Sequence, residues 1–114
     1  MTIEEFEKEL QHGASDSKVH VEEEKKNMFR VKRHDSNGLV LGNSYAGTVR
    51  VYIDEHLIFS LVPPRKDGIN CWYVDFEGDI TAVTANGLHV YIGMLKVANK
   101  FMKEHENEKS KVLA

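Results

Sequence analysis

Six histidines, one cysteine and 18 acids against 15 bases in 114 residues supply material for several chemistries, and spacing decides among them. Histidine titrates near neutral pH and is the commonest metal ligand. Here His12, His20, His34, His56, His89 and His105 never fall as H-x-H or H-x-x-x-H, and Cys71 is the single thiol. No zinc pattern can be written, so no metal and no other cofactor is expected. Asp75 and Glu77 stand two apart in an alternating segment, which puts both carboxylates on one strand face about 7 Å apart. Such a pair could flank a glycosidic bond or hold a divalent ion. A calcium loop counted from Asp75 meets Ile80 where Gly is required and Asn86 where Glu is required, and so fails. With His89 as base, Asp75 and Glu77 define a hydrolase or transferase reading that needs all three to converge. Cys71 with His89 would make a nucleophile and base under the same condition, whereas beside Trp72 and Tyr73 it reads as a small packing residue. Gly42 and Gly47 have the spacing of a phosphate-binding loop, but Thr48, Val49 and Arg50 enter a strand where Lys, Ser or Thr and a helix are needed.

The basic residues make a different pattern. Arg30, Lys32 and His34 alternate along one strand, Arg50 and Tyr52 share a face of another, and Arg65 and Lys66 fall in a following loop. A sheet face with bases and an aromatic can track a nucleic-acid backbone and stack a base. Charge is segregated along the chain: Met1–Lys26 has 4 bases and 8 acids, Asn27–Lys66 has 6 and 3, Asp67–Asn86 has 0 and 4, and Gly87–Ala114 has 5 and 3. The total of −3 is far from the strong excess of either sign that would by itself imply a polyanionic or polycationic partner.

Periodicity supplies the elements that must position these groups. Ile3, Phe6 and Leu10 recur at helical spacing behind a Thr2/Glu5 capping box, predicting a helix over Ile3–His12. Val19 and Val21 mark a first strand, and Met28–His34 a second, with Phe29 and Val31 opposite Arg30, Lys32 and His34. Ser36-Asn37-Gly38 predicts a hairpin returning through Leu39–Leu41, with Gly42–Gly47 as a flexible connection or bulge. Val49, Val51 and Ile53 alternate with Thr48, Arg50 and Tyr52. A loop of Asp54, Glu55 and His56 then pairs Ile53 with Leu57, Val51 with Phe59 and Val49 with Leu61. Pro63-Pro64 ends that strand. Trp72, Val74 and Phe76 form the core face of the next one, and Ile80–Ala85 fits either a strand or a helix lead-in. From Leu88 the period becomes 3.6: Tyr91, Met94, Leu95, Ala98, Phe101 and Met102 make a stripe that Val90 and Val97 widen, with Asn86 as N-cap. Residues 106–114 lose the pattern and are expected to fray.

The expected architecture is a single α+β domain over residues 1–114. It has a mostly antiparallel sheet of five or six strands, a short N-terminal helix and a long C-terminal helix on one face. The opening MTIEEFEKEL lacks a signal peptide's basic start, no apolar run is long enough to span a bilayer, and one cysteine suits a reducing compartment. These features predict a cytoplasmic protein with no membrane partner. No coherent catalytic set emerges, and the last helix is more apolar than one sheet face needs. The leading expectation is therefore a non-enzymatic protein-interaction module, an accessory or regulatory protein of bacterial or phage type, binding a protein partner or a second copy as a homodimer through Val90 and Val97. The alternatives are nucleic-acid binding through Arg30, Lys32, His34, Arg50, Tyr52, Arg65 and Lys66, and the Asp75/Glu77/His89 enzyme.

Overall fold

The computed structural model describes residues 1–35, 38–66, 68–76, 78, 81–84 and 87–113, and for residues 30–35, 38–41, 82, 84 and 106–113 it describes the backbone. The chain runs α1 (Ile3–Gly13), β1 (Val19–Glu23), β2 (Met28–Asp35), β3 (Gly38–Ser44), β4 (Val49–Ile53), β5 (His56–Val62), β6 (Tyr73–Asp75), α2 (Thr81–Thr84) and α3 (Leu88–Leu113). This is the expected α+β fold, but the strands divide. Four form an antiparallel sheet in the order β1-β4-β5-β6, while β2 and β3 pair only with each other.

The capping box forms as the sequence requires. Glu5 N–H donates to Thr2 Oγ1 at 3.1 Å and Thr2 N–H to Glu5 Oε1 at 3.2 Å, so two of the donors left over at a helix start are satisfied. α1 then buries Phe6 and Leu10. Its intermediate face serves β1: Gln11 Oε1 and Glu7 Oε2 accept the N–H groups of Val19 and Val21, each at 2.9 Å. β1 is an edge strand, and these bonds occupy the donors that its neighbour β4 does not reach.

Alternation fixes which side of the sheet is covered. Val19, Val21, Val49, Val51, Ile53, Phe59 and Leu61 are buried with Tyr91, Met94, Ala98 and Phe101 of α3 in one core. Phe6 stacks on Phe101 with ring centroids 4.6 Å apart, and Trp72 meets Phe101 edge-on at 6.0 Å, which joins α1, α3 and the segment before β6. Arg50 and Tyr52 lie on the opposite face, as expected for the residues between the buried valines, but Arg50 is buried there and Tyr52 only half-exposed.

Three details differ from the sequence expectation. The β4–β5 turn has two residues, Asp54 and Glu55, both with positive φ (48° and 72°), and Ile53 pairs with His56 instead of Leu57. A bulge restores the register, so Val51↔Phe59 and Val49↔Leu61 hold as expected, and the extra residue Ile58 is fully buried. β3 continues to Ser44, so Gly42–Ser44 is strand and not a connection. β6 is only three residues long, and Phe76, beyond its end, is 56% exposed instead of in the core. Ile80–Ala85 contains the single helical turn α2, while the expected N-cap Asn86 and the hairpin tip Ser36-Asn37 lie outside the described residues. Among the described residues, no helix is long and apolar enough to cross a membrane.

Candidate functional site

α1 and α3 are held together at one end by the Phe6–Phe101 stack and by Lys100 Nζ bonded to Glu9 Oε1 at 3.3 Å. Toward the other end they leave a groove of about 550 Å³. Buried Leu10 and Met94 form its floor, Val90 and Val97 line its α3 wall, and Lys8, His12 and His89 stand at its rim. Val90 and Val97, the two residues that made the helix stripe wider than expected, are both half-buried here. Between them is Gly93, where an added Cβ would meet nothing within 4 Å. A glycine in a helix interior destabilises it by about 1 kcal/mol relative to alanine, so its presence at an open wall asks for a reason other than helix formation. Gly93 was not singled out from the sequence, although its place inside a helical stripe was the available signal, and α1's part in the groove left none, because nothing local to Leu10, His12 and Gly13 says what they face.

The predicted basic residues separate into three environments. Arg50 is 7% exposed: its Nη1 donates to Glu24 Oε2 at 2.7 Å, its Nη2 to Glu22 Oε2 at 3.3 Å and its Nε to the Tyr52 hydroxyl at 3.2 Å. Glu24 is 5% exposed and also accepts from Ser44 Oγ at 2.9 Å, so a buried ion pair ties the β1–β2 connection, the end of β3 and β4 together. Burial works against the Arg50 charge, but the hydrogen bonds to Glu24 and Tyr52 outweigh it and raise the guanidinium pKa. Partial burial likewise pushes the Glu22 carboxyl up, and hydrogen bonds from His20 and Arg50 overcome this and hold it below its ordinary value. His20 lies between two acids, 3.2 Å from Glu22 and 3.6 Å from Glu7.

Arg65 lies over the Tyr45 ring at 3.7 Å, next to the end of β3, with Lys66 exposed beside it. Arg30, Lys32 and His34 belong to β2. The register shift between Val31 and Arg33 makes Lys32 an unpaired bulge residue, with Arg30 opposite Gly42, Arg33 opposite Val40 and His34 opposite Leu39. The simple alternation expected for β2 is thereby broken, and Arg33 joins the set. Among the described residues β2 and β3 pair with each other and not with the four-stranded sheet, so they form a separate ribbon joined to it at Glu24, Ser44 and Gly47.

Of the enzyme candidates, Asp75 pairs with Ser60 in β6 while its neighbour Val74 faces the core, and His89 lines the α1–α3 groove. Asp75 and His89 are thus on opposite sides of the sheet, and Glu77 lies outside the described residues. Cys71 is exposed. Among the described residues no group of three His, Cys, Asp or Glu is arranged to hold a metal ion. No known protein family, curated protein or solved structure matches the chain.

Proposed function

We propose that this chain is a non-enzymatic protein-interaction module that associates with a second copy of itself through the α3 wall of the groove. The observation that supports this reading is the Val90–Gly93–Val97 stripe in the N-terminal part of α3, whose half-buried valines rest on the core and keep apolar surface in the groove, while the neighbouring stripe is fully engaged with the core. Two such helices crossing antiparallel about a two-fold axis near Gly93 would bring Val90 of each opposite Val97 of the other, and the missing side chain allows the close approach. The half-exposed valines would then be buried with a gain of about 25 cal/mol per Å² of apolar surface.

Light scattering on the eluted protein tests the proposal. The wild-type chain should show a concentration-dependent mass of two chains. Gly93→Leu, whose Cβ meets nothing within 4 Å and whose side chain fills the crossing point, should leave a folded single chain. A wild-type mass of one chain at all concentrations rules out self-association through this face.

A further inference from the structure

We infer that the β2–β3 ribbon is a nucleic-acid-binding arm that takes the phosphodiester backbone on its bases and an unpaired base on Phe29. Residues Lys25–Ser44 carry 5 bases (Lys25, Lys26, Arg30, Lys32, Arg33) and 1 acid (Asp35), a net of +4. The rest of the chain carries 10 bases and 17 acids, a net of −7. The overall charge of −3 therefore conceals a cationic arm on an anionic body. Lys25 and Lys26 are exposed at its root, where Arg65 on Tyr45 and exposed Lys66 add further positive charge.

The body's acids would repel a polyanion if the arm lay against them. Among the described residues β2 and β3 form a sheet of their own, joined to the body at Glu24 and Ser44, and four residues of strand carry Lys32 about 13 Å along from Met28 at 3.3 Å per residue. That exceeds the Debye length of about 8 Å at physiological salt, so the outer half of the ribbon is screened from the acids Glu22, Glu23 and Glu24 at its root. A two-stranded ribbon also has the width to follow a nucleic-acid groove. Phe29 is 74% exposed at the root of the ribbon, near exposed Lys25 and Lys26 in the sequence and, by the strand register, on the face opposite Arg30 and Arg33, and an exposed aromatic ring stacks a base of any sequence.

The ribbon's own strands argue for a partner of some kind. A lone two-stranded hairpin is at best marginally stable in water, and among the described residues β2 and β3 join no larger sheet. The bases select a polyanion as that partner.

The test is fluorescence anisotropy of a labelled 20-nucleotide single strand and of its duplex, titrated with the full chain at several salt concentrations. Binding should weaken with salt at a log–log slope of about −3.5 for the single strand if all five bases engage phosphates. Lys32→Glu with Arg33→Glu should weaken it by about 25-fold or more at 0.1 M salt, the factor for losing two contacts. Lys96→Glu with Lys103→Glu, the same charge change at exposed positions of α3, should have little effect. Phe29→Ala should weaken single-strand binding by about tenfold and duplex binding less. No binding to either probe at 20 mM salt overturns the inference. So does an equal loss in the two charge-reversed variants, which would assign the binding to net charge alone. A change of mass on reversing Lys32 and Arg33 without any nucleic-acid binding would make the arm a contact between copies and also overturn it.

Discussion

Replacing Arg50 by Met removes one half of a buried ion pair and leaves Glu24 in place, 5% exposed. The guanidinium Nη1 lies 2.7 Å from Glu24 Oε2, and both side chains are nearly inaccessible. Removing one member of a buried ion pair costs about 3–5 kcal/mol. The Ser44 hydroxyl, 2.9 Å from the same oxygen, continues to solvate the carboxylate, which puts the expected loss near the low end, about 3 kcal/mol. The Arg50–Glu22 contact adds little, because Glu22 is half-exposed and screened. For a domain of this size the loss corresponds to a fall in Tm of about 12 °C. Replacing both partners, Glu24→Leu with Arg50→Met, removes the two buried charges together and should cost less than about 1 kcal/mol. Urea unfolding of the wild type, the two single variants and the double variant closes the cycle, and a coupling of at least about 2 kcal/mol is expected. Additive single and double effects, or an Arg50→Met cost under about 1 kcal/mol, would refute the view that this pair anchors the arm's root.

Three other outcomes follow from the geometry. Gly78→Ala places a methyl group inside van der Waals contact of the Leu57 and Ile58 carbonyl oxygens, at the bulge of β5, and should destabilise the fold by about 1–3 kcal/mol in a urea titration. Glu55→Gly relieves a side chain held at φ 72° and should raise stability by about 0.5–1 kcal/mol; a loss would contradict the turn assignment. Acidification should lower Tm as well. The Glu5 carboxyl is held low by hydrogen bonds from the Thr2 backbone and side chain, and Glu22 by His20 and Arg50 against its partial burial. A carboxyl whose folded pKa lies below its unfolded value of 4.5 stabilises the fold above that value and loses this contribution as pH falls through the folded pKa. The decline should therefore begin below pH 4.5 and be shallower in Glu22→Gln than in the wild type.

Local patterns were readable in the sequence where one physical rule acted alone. The Thr2/Glu5 box, the valine alternation of β4 and the α3 stripe each follow from hydrogen-bond geometry or period, and each appears in the fold. Where two rules competed the reading diverged. Asp54-Glu55 lacks the Asn-Gly signature of a tight hairpin turn, so a longer loop was the natural expectation, and the buried bulge at Ile58 that compensates left no separate mark. Phe76 continued an alternation that the short β6 did not. The separation of β2–β3 from the main sheet is a tertiary fact, since a ribbon and a sheet strand share the same alternating code. Arg50 shows the same limit at the level of the site. Parity set it on the strand face away from the valines, where a solvated base was expected, but only the fold brings Glu24, Ser44 and Arg50 together across 26 residues of sequence and buries the guanidinium. The groove was half legible: Val90 and Val97 were visible as surplus apolar surface, whereas α1's facing wall was not.

The most direct test of self-association at the groove is an isotope-filtered NMR experiment on a mixture of labelled and unlabelled chains. Contacts between the methyl groups of Val90 in one copy and Val97 in the other should appear in the wild type and vanish in Gly93→Leu, which should itself gain about 0.5–1 kcal/mol of stability from the better helix former. A dimer-sized species with no Val90–Val97 contact between chains, or a protein that remains a single chain at every concentration, would contradict the account.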